Sequence, residues 1–124
     1  MISAITIDIA PSFSMGGVIL KLNIEKKLLE VIRTDYRAGM PSKLMKSIKL
    51  EKDQTERITN TLEAARTKPL PHSIRGLDGT EYRMIIEDEK GSQKIDWWCS
   101  GGRAYKPFLA VTKELEDIAG MLGF

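Results

Sequence analysis

Cys99 is the only thiol in the chain and His72 the only imidazole. A nucleophilic pair made from them needs hydrogen-bond contact and a third group to orient the histidine. The sequence around neither residue supplies that group. His72 reads as an incidental loop histidine and Cys99 as a small, half-buried side chain. The same inventory argues against structural zinc, which takes about four Cys or His ligands at close spacing. The acids Glu87-Asp88-Glu89 lack the alternating oxygen ligands and central glycine of a calcium loop, so they read as a solvated hairpin tip. No metal, no cofactor and no enzymatic activity are expected.

Binding chemistry has more candidates. Ser100-Gly101-Gly102-Arg103 runs into a helix start near Lys106. Unsatisfied N–H groups there, with Arg103 and Lys106, are suited to a phosphate or carboxylate. The segment has no Gly-Lys-Ser/Thr and no spaced glycine fingerprint, and its other reading is a plain strand-to-helix connector. Trp97 and Trp98 are neighbours in a strand, so they face opposite sides of the sheet. Alternation with Ile95 sends Trp97 into the core. Trp98 is then either an exposed aromatic anchor or a cover for the sheet edge under a loop. Lys43, Lys46, Lys49 and Lys52 have no interleaved aromatics of the kind that stack on bases, and read as a solvated strand face.

These residues must be positioned by the elements around them. Ile2 to Ile9 alternates, with Ile5, Ile7 and Ile9 on one side and Thr6 and Asp8 on the other, which predicts a strand that Pro11 ends. A loop with Gly16-Gly17 follows. Val18 to Asn23 is the second strand and Leu28 to Arg33 the third, joined by a turn at Ile24 to Lys27. A short helix capped by Asn23 also fits Ile24, Leu28, Leu29 and Ile32, but the β-branched pair Val31-Ile32 favours the strand. Beyond a loop marked by Gly39 and Pro41, Lys43 to Leu50 predicts a fourth strand with Leu44, Ile48 and Leu50 inward.

The period changes at Lys52. Ile58, Leu62 and Ala65 share one face of a helix over Lys52 to Arg66, which Pro69 and Pro71 stop. Thr80 to Glu87 and Gln93 to Trp98 predict a hairpin turning at Asp88-Glu89-Lys90-Gly91. Pro107 suits the first turn of a last helix. Its apolar stripe is Phe108, Val111, Leu115, Ile118 and Leu122, with Thr112, Lys113, Glu116 and Asp117 solvating the rest. The order is ββββ-α-ββ-α, an α+β fold in which an antiparallel meander carries two helices on one face. Residues 1–124 read as a single domain.

Composition narrows the function classes. Net charge is +2, with Lys+Arg 19 against Asp+Glu 17, far from the clustered basic excess of a nucleic-acid binder. A lone cysteine cannot form an intrachain disulfide and fits a reducing compartment. The first residues carry no basic, apolar leader, and no run approaches the ~20 apolar residues of a membrane helix. The expectation is a cytoplasmic protein with no membrane partner.

The second half resembles small bacterial proteins that share a plan: a strand meander, a helix, a DG-x-x-Y/W hairpin and a final helix preceded by proline. The matching residues are Leu77-Asp78-Gly79-Thr80-Glu81-Tyr82, Trp97-Trp98 and Pro107 through Leu115. Some proteins of this type are immunity proteins, which neutralise a toxin encoded beside them by tight binding. The resemblance implies a non-enzymatic binding protein with a toxin domain as its partner. The aromatic and basic residues Trp98, Arg103, Tyr105 and Lys106 are the first candidate patch for that partner, and Tyr36 with Arg37 the second. The alternative function is a small-molecule or anion-binding domain, or an enzyme, built on the Ser100–Lys106 loop.

Overall fold

The computed structural model describes residues 1–12, 16–35, 37, 41–71, 79–99 and 102–120. The elements are β1 (Ile2–Pro11), β2 (Gly16–Asn23), β3 (Leu28–Asp35), β4 (Lys43–Lys49), α1 (Lys52–Ala65), β5 (Thr80–Asp88), β6 (Gly91–Trp98) and α2 (Lys106–Ile118). A single 3-10 turn, Arg103–Tyr105, leads into α2. The order ββββ-α-ββ-α is the one the sequence patterns imply, and the class is α+β.

All six strands form one antiparallel sheet in the order β4-β3-β2-β1-β5-β6. The first four strands are a meander. The second hairpin does not extend it past β4 but returns to pair β5 with β1 along the full length of both strands. The first strand of the chain is thereby an interior strand.

Register explains the core. Ile7 lies opposite Leu20 on one side and Met84 on the other; Leu20 continues to Val31 and Met84 to Ile95. Period-two alternation puts this row on one face, and every member is buried. Ile58 and Leu62 of α1 and Phe108, Val111 and Leu115 of α2 belong to the same cluster. Both helices therefore cover one face of the sheet. Burial of each large aliphatic side chain there contributes about 1.5–3 kcal/mol relative to exposure. Trp97 is the aromatic centre: it stacks on Tyr82 at 5.2 Å between centroids, with Tyr105 at 6.1 Å and Phe108 at 6.3 Å.

The β2–β3 turn settles the choice between strand and helix after Asn23. The Asn23 side chain accepts from the Lys26 amide, and Lys27 takes φ 53° to reverse the chain. Asn23 thus closes a hairpin and does not cap a helix.

Three expectations require correction. Leu44 does not point inward. A bulge between Val31 and Ile32 places Lys46 opposite Val31 but Leu44 opposite Ile32 on the outer face, where Leu44 is 53% exposed. One extra residue reverses the faces of everything before it in the strand. Thr112 and Glu116 do not solvate α2. Both are buried, and the Thr112 hydroxyl donates to the Phe108 carbonyl. α2 packs beside α1 as well as on the sheet, with Arg57 of α1 bridging to Glu114, so its covered face is wider than one apolar stripe. The hairpin acids are not simply solvated either. Asp88 accepts from Arg66 at the end of α1, and both oxygens of Glu89 accept from the N-terminal ammonium at 2.8 Å. Leu122, at the end of the predicted stripe, lies outside the described residues.

Candidate functional site

The side of the sheet away from the helices carries its own rows of side chains. One row runs Asp96–Arg83–Asp8–Ile19–Ile32–Leu44; the next begins Trp98–Glu81–Ala10, and past the last β1–β2 pair Gly17 lies opposite Thr34. No described helix covers them. Asp8, Ile19, Ile32 and Trp98 are half-buried among their strand neighbours.

The second row explains a depression in this face. Ala10 and Gly17 place almost no side chain in the middle of the row, while Glu81 and Thr34 stand on either side. The resulting hollow, of about 260 Å³, is lined by Asp8, Ala10, Thr34, Glu81 and Arg83. The Gly17 amide donates to the Thr34 hydroxyl oxygen at 3.0 Å and fixes its far wall.

The hollow is acidic. Arg83 lies between Asp96 and Asp8 in its row and gives its Nε–H to Asp96 at 3.0 Å. Arg83 is thus shared by two carboxylates, bonded to Asp96 and acting through its charge on Asp8. Burial pushes the Asp8 carboxyl above the ordinary carboxylate range; Arg83 opposes this and Glu81 adds to it. Asp8 sits in an interior strand and accepts no hydrogen bond among the described residues. A partly desolvated charge of this kind opposes folding and favours binding of a cation.

The structure separates the first candidate patch. Trp98 borders the acidic face at its end row. Its indole lies against Gly79, within 3.2 Å of where a β-carbon on that residue would stand. It therefore closes the sheet edge while remaining half-exposed. Tyr105 is not a surface anchor: it is 4% exposed, packs on Trp97, and its hydroxyl donates to the Pro71 carbonyl. The 3-10 turn turns its ring inward. Arg103, the first residue of that turn, and Lys106, just after it, are exposed, and Arg103 lines a groove between α1 and α2.

The loop offers fewer free amides than expected. The Tyr105 amide already donates to Gly102 and the Lys106 amide to Arg103. Ser100 and Gly101 lie outside the described residues, as do His72 and Tyr36. Arg37 is committed to Asp35, with Nε–Oδ1 at 3.0 Å and Nη2–Oδ2 at 2.6 Å. This pairing lowers the Asp35 pKa to about 2. Arg37 follows β3 and Trp98 ends β6. Both lie at the same end of the sheet, but four strand spacings, roughly 20 Å, separate them.

Sequence reasoning singled out none of Asp8, Ile19, Glu81, Arg83 and Asp96. Their signal was the outward half of each alternation, which places Asp8 opposite the apolar residues of β1. Only the long-range pairing of β1 with β5 brings Asp8 beside Arg83.

Comparison with known protein families and with curated proteins finds no match to this chain. Among the described residues, no helix is long and apolar enough to cross a membrane.

Proposed function

We propose that the chain is a non-enzymatic binding protein of the immunity type, which neutralises a toxin domain by seating it on the face of the sheet that no described helix covers. The observation that carries the reading is the hollow at the half-buried Asp8 carboxylate, set in a face of half-buried Ile19, Ile32 and Trp98. Half-buried aromatic and aliphatic side chains suit an interface centre, and a carboxylate among them selects a partner of opposite charge. The partner segment that fits is a cationic side chain, Lys or Arg, projecting from an apolar surround. Its charge meets Asp8, and its stem packs over Ala10.

A stable complex buries about 800 Å² on each side. A six-stranded face, at roughly 4.8 Å per strand, is wide enough to supply it. The lone cysteine agrees with a reducing, cytoplasmic setting for both partners.

Co-expression with the toxin domain encoded beside this chain is the test. The wild-type protein restores growth, and Asp8→Lys fails to do so while remaining folded by circular dichroism. A toxin that stays fully active at saturating wild-type protein would sink the proposal.

A further inference from the structure

On the helix-bearing side, the end of α1 and the start of α2 diverge and leave a groove of about 470 Å³. Its walls are small or apolar: Thr61 and Ala64 from α1, Leu70 from the segment after it, and Pro107 from α2. The groove exists because no large side chain from either helix fills it. Tyr105 fixes its width, since the ring is packed in the core and the hydroxyl donates to the Pro71 carbonyl just beyond Leu70. Two cations, Lys68 just after α1 and Arg103 just before α2, line it. Among the described residues, no carboxylate lines it and neither cation has an ion pair or side-chain hydrogen bond.

We infer that this groove is a binding site for a small amphiphilic carboxylate, an apolar chain ending in one anionic group. The volume lies within the range of small-ligand sites, about 300–1,000 Å³. The apolar walls take the chain, and Lys68 and Arg103 converge on the carboxylate. An anion without an apolar body gains only exposed ion pairs, worth about 0–1 kcal/mol. A cationic amphiphile meets two like charges. The site is independent of the acidic face, which lies on the other side of the sheet.

Titration of the full chain with decanoate, acetate and decylammonium, followed by two-dimensional amide NMR, tests this. Decanoate is expected to shift the amides of Ala64, Leu70 and Arg103 saturably, with acetate and decylammonium weaker by about tenfold or more. The double variant Lys68→Ala/Arg103→Ala is expected to weaken decanoate by about tenfold, and Ala64→Trp to abolish its binding by filling the groove. All three positions are exposed, so amide dispersion should be retained and report that the variants fold. Equal binding of decylammonium and decanoate, equal binding of acetate, or saturable shifts that map elsewhere would each overturn the inference.

Discussion

Glu116 shows what a single buried charge does here. It is 3% exposed, its Oε1 accepts no hydrogen bond, and Lys113 stands 3.6 Å away. Burial raises its pKa, only partly offset by Lys113. The folded state then holds the proton more tightly than the unfolded chain. Its stability contribution is most favourable below the ordinary glutamate pKa of about 4.3 and is lost as pH rises through the folded value. Glu116→Gln should therefore raise the melting temperature at pH ~8 by several degrees and by less at pH ~5. A variant with the same gain at both pH values would show that Glu116 is not a charged, desolvated group. Gly79 makes the opposite point about space. Its φ is +132°, and an added β-carbon would stand 2.4 Å from the Cys99 sulfur. Gly79→Ala should cost about 2 kcal/mol or more, read as a lower midpoint in denaturant.

At the scale of elements, the order of strands and helices was legible because each alternates at its own period over enough residues. The faces of β4 and α2 were not. A bulge leaves no mark in composition, so plain alternation points Leu44 inward while one extra residue in the strand sends it outward. Thr112 and Glu116 look like solvating residues on a helical wheel, yet α2 has two neighbours. The candidate site shared this limit. The outward residues of β1 and β5 were visible, but not that a pairing across most of the chain sets them side by side. Tyr105 and Arg103 are close in sequence, but the 3-10 turn they share buries the tyrosine and leaves the arginine exposed. The bulge also has an energetic consequence. It brings Lys46 Nζ near Gly120, at the carboxyl end of α2, where a cation favours the helix dipole. Lys46→Glu should destabilise by about 0.5–1 kcal/mol, with the loss reduced at high salt. An unchanged midpoint would show that this lysine does not act on the helix end.

For the whole molecule, the decisive feature is the asymmetry of a sheet whose two described helices both pack on one face. The covered face provides the stability. The open one retains a desolvated Asp8 in an interior strand, where a neutral residue would fold more easily. Asp8→Asn should therefore leave the melting temperature equal or higher while weakening the complex, the trade-off expected of a residue kept for binding. The most direct measurement is calorimetric titration of the adjacent toxin domain with wild type, Asp8→Lys and, as a control on the exposed surface of α1, Glu56→Lys. Reversal at Asp8 should cost about a hundredfold or more in affinity, and the α1 control should bind like wild type. An Asp8→Lys protein that binds within about threefold of wild type, or a control that abolishes binding, would contradict the assignment of the open face.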